Sequence, residues 1–156
     1  MADLSRRNAV TASALAAFAG AAVSSGIASA AESAKIERYA LTPSYPGIPL
    51  ISYAVAHGGI VHVAGVTADP SNPGDVKDQT RQILARIDAL LAKAGTDKSK
   101  MLSAQVWLTD MGLFAAHNDA WNEWVDAKNP PVRACLLSPQ LWRPGLLVEI
   151  MAVAAR

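Results

Sequence analysis

The chain holds a single cysteine, Cys135, so no internal disulfide can form and the fold does not depend on bridges. There are only three histidines, His57, His62 and His117, and they lack metal-ligand spacing with one another or with Cys135. No Walker or dinucleotide-binding pattern occurs, and Gly58-Gly59 reads as a turn, not a phosphate loop. Neither sign of charge dominates, with 14 Lys and Arg against 13 Asp and Glu. A basic face for nucleic acid and a polybasic stretch for a membrane surface are both missing. Aromatics are few, at 6%. These absences argue against a metal centre, a nucleotide cofactor and a nucleic-acid partner, and we expect no cofactor.

What is present begins with an unusual front. Arg6-Arg7 is followed by no charge until Glu32, and the intervening stretch is rich in Ala, Ser, Gly and Val. It ends in Ala28-Ser29-Ala30, a small-x-small cleavage pattern, so residues 1–30 read as a signal peptide cleaved after Ala30. Ser5-Arg6-Arg7 resembles a twin-arginine signal, although Ala9 stands where a bulky apolar residue is usual. A membrane-anchoring helix is the alternative, but the stretch is weakly apolar and lacks a basic flank after it. The expectation is a periplasmic or secreted protein with no stable membrane association after cleavage. Residues 31–156 then carry 12 basic and 12 acidic side chains, enough chain for a single well-buried core.

Residues 31–49 read as a leader with a short strand at Lys35–Ala40 and a Pro/Gly-rich turn after it. Leu50–Ala56 and Ile60–Val66 are apolar runs separated by His57-Gly58-Gly59, a hairpin signal. Thr67–Gly74 is dense in turn residues. From Asp75 to Ala94, Ile83, Ile87, Leu90, Leu91 and Ala94 recur at helical spacing, and Gly95 ends the helix. Met101–Leu108 alternates as a half-buried strand. Phe114–Ala127 forms a second helix with Phe114, Trp121, Trp124 and Val125 on one stripe, stopped by Asn129-Pro130-Pro131. Val132–Leu137 and Leu146–Ala154 are the last strands. The order β-β-β-α-β-α-β-β predicts an α+β sandwich, a mixed sheet with two helices on one face. The other sheet face lacks a cover, which predicts an oligomer.

Two of these strands each carry one charge among apolar residues, Arg133 and Glu149. A charge in a buried strand costs several kcal/mol unless it is paired or faces a cavity. An arginine fork suits a substrate carboxylate, and a desolvated glutamate suits proton transfer near neutral pH. The bland alternative is a structural arginine paired with Glu149 or a chain terminus. Tyr53, Trp107 and Trp142 fit core or interface positions equally well.

Several segments in order resemble the RidA family, also called YjgF/YER057c/UK114. Ala64-Gly65 is similar to the end of its "SGQ" strand, and Ala68-Asp69-Pro70 to the loop after it. Asp78-Gln79-Thr80-Arg81-Gln82-Ile83-Leu84 resembles its "QTRQ-L" helix start. Val106-Trp107-Leu108-Thr109-Asp110-Met111 with Phe114 and Asn118 is similar to "V-L-D-M--F---N". Arg133-Ala134-Cys135 matches "R-x-C", and Leu147-Val148-Glu149-Ile150 matches "VEIE". The resemblance spans about residues 50–155 and implies a chorismate-mutase-like fold, a homotrimer around a central barrel, and clefts between subunits. It further implies hydrolysis of reactive 2-imino or 2-enamino acids to 2-keto acids and ammonia, without metal or organic cofactor.

Carried over residue by residue, the resemblance makes Arg133 the carboxylate clamp, Glu149 the proton relay, and the Cys135 backbone carbonyl a holder of water or imine. The Cys135 thiol has no catalytic histidine motif beside it. Asn118 supports the cleft or a subunit contact. Ile51 falls where the family has its cleft tyrosine, with Tyr53 shortly after, and Val66 falls on the glutamine of "SGQ". These are expected to line the substrate site. One extra residue lies between Cys135 and Glu149, around Trp142-Arg143-Pro144. The rival is a non-catalytic protein that holds a small carboxylate or carbonyl ligand, or acts as a holdase. Ribonuclease activity has been attributed to family members; neutral charge and the absence of a paired-histidine site argue against it here.

Overall fold

The backbone forms six strands and two helices in the expected order. β1 is Glu37–Leu41, β2 Ser52–His57, β3 Ile60–Thr67, α1 Val76–Lys93, β4 Met101–Leu108, α2 Phe114–Trp124, β5 Val132–Leu137 and β6 Val148–Ala155. The computed structural model describes residues 35–43 and 46–156, so the expected signal segment and its cleavage point lie outside the described residues. The six strands make one mixed sheet in the order β1-β2-β3-β6-β4-β5. Only β4 and β5 run parallel; the other pairs are antiparallel.

Local chemistry explains each junction. Gly58 and Gly59, at φ +58° and +80°, supply the left-handed pair that a tight two-residue hairpin turn needs between β2 and β3. The Asp75 carboxylate caps α1 by accepting from the Asp78 N–H. α2 ends at Trp124, three residues short of the expected Ala127, because Val125 turns to extended backbone.

Both helices pack on one sheet face. Ile83, Leu84, Ile87 and Leu91 of α1 lie against Val61, Val63 and Val66 of β3 and Val148, Ile150, Ala152 and Ala154 of β6. Each such fully buried aliphatic side chain contributes about 1.5–3 kcal/mol. The opposite face stays open, exposing Leu102, Val132, Leu136 and Met151.

The parity of β3 corrects one expectation. Strict alternation from Val61 and Val63 would turn Val66 to the open face, where a substrate could meet it. A register shift between Val63 and Val66 inserts an extra residue, so Val66 pairs with Ile150 and is 0% exposed in the core. Gly65 and Thr67 take the cleft side instead.

Gln79 is wholly buried near the start of α1 and fully satisfied. Its Nε2 donates to the carbonyls of Gly145 (2.9 Å) and Gly74 (3.2 Å), and its Oε1 accepts from the Leu147 N–H at 2.8 Å. One amide thus ties the helix to the loop preceding β6. Gln79→Ala leaves three partly buried backbone groups without this partner and is expected to cost about 1–3 kcal/mol in urea unfolding. Arg81→Ala breaks only exposed pairs, with Glu123 and Asp78, and should cost less than about 1 kcal/mol in the same assay.

Candidate functional site

Arg133 sits on β5, the edge strand, in register with Ala104 of β4. That pairing turns its side chain to the helix face, where α2 receives it. Nη2 donates to Asn118 Oδ1 at 2.6 Å, and Nη1 lies 3.4 Å from His117 Nε2. The guanidinium also lies over the rings of Trp121 (5.0 Å) and Phe114 (5.9 Å). Every one of these partners is neutral or aromatic. Half-burial lowers the Arg133 pKa from its ordinary value, yet a guanidinium stays charged at any physiological pH.

His117 is the support that sequence reasoning did not assign, since it was weighed only for metal spacing. It is 0% exposed. Its Nδ1 lies 3.0 Å from Thr80 Oγ1, whose own proton goes to the Val76 carbonyl at 2.7 Å. The Thr80 oxygen must therefore accept Nδ1–H, which leaves Nε2 as an acceptor facing Arg133. Burial, and secondarily the Arg133 charge, lower the His117 pKa from 6.5 to about 4, so the imidazole is neutral and suited to accept.

Cys135 lies two residues on, half-buried on the same side and packed against the core. Burial raises its thiol pKa, with the nearby Arg133 charge opposing, so the thiol is a poor nucleophile.

Glu149 faces the other side of the sheet. It pairs in register with Thr67 on β3 and Trp107 on β4. Desolvation raises its pKa above 4.5. Its carboxylate sits over Gly65: a Cβ there would collide with Glu149 Oε1 and stand 3.0 Å from Cδ. The cleft around it encloses about 570 Å³, and Ile51, Tyr53, Thr67, Arg86 and Trp142 help to line it. Ile51 and Tyr53 thus form part of the wall of the cleft that holds Glu149. The Trp142 Nε1–H donates to Thr67 Oγ1 at 3.2 Å, so the loop with the extra residue becomes a wall of this cleft. Thr67, Arg86 and Trp142 were not singled out as cleft residues from sequence. Arg86 looked like one more charge on the solvent side of α1.

The structure therefore builds two half-sites, not one. Arg133, Cys135, Asn118 and His117 share the helix face at the sheet edge. Glu149, Tyr53 and Ile51 line a separate cleft. Within one chain the clamp and the acid do not meet, and Arg133 is not paired with Glu149. Among the described residues neither has an oppositely charged partner within salt-bridge distance.

This α+β fold, with an uncovered sheet face and a small-molecule-sized cleft beside a lone carboxylate, defines a class of small proteins with sites on a sheet. A family model described as Endoribonuclease L-PSP matches residues 48–156. The RutC family protein YoaB of Escherichia coli K12 is 43% identical over 105 residues, covering 67% of this chain and 89% of that protein. A RutC family protein of Haemophilus influenzae is 38% identical over 104 residues, covering 67% and 89%. The crystal structure of a YjgF family member from Neisseria meningitidis superposes with a TM-score of 0.70 at 36% identity, covering 78% of this chain and 95% of that one. The chain belongs to this family, the RidA or YjgF/YER057c/UK114 group.

The two buried titratable groups make opposite predictions. The unfolded chain protonates His117 near 6.5 while the folded chain resists until about 4, so stability falls as pH drops through that window. In His117→Phe the loss of Tm across that window should shrink. The Glu149 pKa is raised, so the folded state favours the protonated acid and stability falls as pH rises through it. Glu149→Gln should raise Tm near neutrality and leave it unchanged at about pH 4.

Proposed function

We propose that the protein is a hydrolytic deaminase of small, reactive 2-imino or 2-enamino acids, working without a metal at clefts between copies of the chain. The observation that carries this reading is the pair of half-buried charges, Arg133 and Glu149, each without a counterion among the described residues. A charge so placed is costly unless a ligand or a neighbouring chain completes it. A substrate carboxylate completes Arg133, and a second copy set against the open sheet face brings Arg133 to the Glu149 cleft of its neighbour. The exposed apolar side chains on that face favour such an assembly, and we take it to be a homotrimer.

The chemistry then follows. Arg133 receives the carboxylate and fixes the imine carbon relative to a water. Glu149 takes a proton from that water as the oxygen bonds to carbon, while the imine nitrogen takes a proton from solvent. The Cys135 carbonyl is suited to hold the water or the imine N–H. The resulting carbinolamine expels ammonia as Glu149 gives its proton to the leaving nitrogen, and the hydroxyl proton passes to solvent as the C=O bond of the ketone forms. An enamine first takes a proton on carbon to become the imine. The raised pKa of Glu149 suits this back-and-forth transfer.

The alternative is a binding protein that holds a small carboxylate without turning it over, which the apolar Ile51 at the cleft favours. Export to the periplasm remains part of our reading. It requires a local imine source there, such as an amino-acid oxidase.

Ammonia release from freshly generated 2-iminopropionate separates enzyme from binder. The native chain should accelerate it over spontaneous hydrolysis, and Arg133→Ala and Glu149→Gln should each lose about a hundredfold or more. Gly65→Ala should lose activity with Tm close to native, because the displaced atom is the end of a flexible side chain. No acceleration by well-folded protein across several imino acids would sink the deaminase reading. Light scattering at micromolar concentration should give a trimer; a monomer would remove the shared cleft.

A further inference from the structure

The cleft beside Glu149 carries a second cation that the deamination of a simple imino acid does not use. Arg86 of α1 lines it, and Nη1 donates to the Thr67 carbonyl at 2.6 Å. Its guanidinium carbon lies 5.5 Å from the centroid of the Tyr53 ring, which it covers. These two contacts hold the guanidinium in place while using only one of its five N–H donors. Among the described residues no carboxylate stands within salt-bridge distance of it. Asp69 is near enough for the Arg86 charge to help lower its pKa, but it makes no salt bridge with Arg86, and its carboxylate accepts from the Ser71 N–H and hydroxyl instead. A charged fork fixed by a carbonyl and an aromatic face, open toward a cleft of about 570 Å³, is a receptor for a planar anion. Nearby, the Arg143 guanidinium lies 4.9 Å from the centroid of Trp142, another cleft wall, which adds positive potential.

We infer that Arg86 receives a second carboxylate, so that the cleft prefers dicarboxylic imino or keto acids over monocarboxylic ones. The inference rests on the reading in which Arg133 of an adjacent copy holds the first carboxylate. A substrate with one carboxylate then leaves Arg86 facing water, whereas one with a carboxylate at each end satisfies both forks. Such substrates arise where acidic amino acids are oxidised at the α-carbon, so the supplying reaction is an oxidation of an acidic amino acid.

The test is calorimetric binding of two stable keto acids, 2-oxoglutarate and 2-oxobutanoate, to the oligomeric protein. The native chain should bind 2-oxoglutarate at least about tenfold more tightly, in line with one charge-assisted bidentate contact. Arg86→Gln should abolish the preference and leave 2-oxobutanoate affinity near native. Arg86→Lys, which keeps the charge but not the fork, should retain part of it. Equal affinities in the native chain, a preference that survives in Arg86→Gln, or an Arg86→Gln variant that loses both acids alike would each overturn the inference, and so would binding of neither acid. A clear preference without ammonia release from imino acids would sustain the Arg86 assignment and count against the deaminase reading alone.

Discussion

β6 is covered on one side by α1, and that cover sets which way its own charge can point. Val148, Ile150, Ala152 and Ala154 must face the helices, so Glu149 must face away. β5 runs parallel to β4 with Arg133 opposite Ala104 and Cys135 opposite Val106, both core residues of β4, so Arg133 must face the helices. The two charges a catalyst would combine are thereby held on opposite faces of one sheet. No rotamer change reconciles them within a chain. In the proposed reading the site is therefore completed only in an assembly, for which the uncovered apolar face offers a surface.

The way Arg133 is held follows from the same need to keep its charge available. A carboxylate partner would have secured the guanidinium more strongly and also cancelled it. The chain uses an amide oxygen, a neutral imidazole and two aromatic faces. His117 can serve only because burial and the adjacent cation both disfavour its protonation. Thr80 completes the device by fixing the tautomer, and its hydroxyl does so because the Val76 carbonyl already takes its proton. A helix residue thus controls a strand residue through one ring.

Much of this architecture was legible in the residues. Helical spacing of Ile83, Ile87 and Leu91 and the double glycine at the hairpin each encode a local geometry with few alternatives. Arg133 and Glu149 stood out because a charge in an apolar strand demands a reason. Val66 was placed at the site by its match to the family's glutamine; the structure buries it, because a bulge in β3 between Val63 and Val66 inverts strand parity there. His117 and Arg86 were hidden for a different reason. One is a histidine on an amphipathic helix and the other an arginine on a helix's polar side, both common patterns. Only the tertiary contact with Arg133, or with Tyr53 and the Thr67 carbonyl, sets them apart.

Chemistry and selectivity sit on different kinds of structure here. Glu149 lies on a central strand and Arg133 on the strand at the sheet edge, with positions fixed by register and by core packing that costs several kcal/mol to disturb. The wall beside Glu149 comes from the loop between β5 and β6, where Leu141 and Leu146 pack with Ala68 and anchor a Trp142 that is 55% exposed. Gln79 pins the end of that loop to α1, so the wall is adjustable in sequence but not free in space. In the proposed reading, a substitution at Trp142, Arg143 or Arg86 can therefore change which acid fits without moving Glu149. The extra residue in the loop lies where selectivity can vary at little structural cost, while a Cβ added to the glycine beneath Glu149 would displace the carboxylate itself.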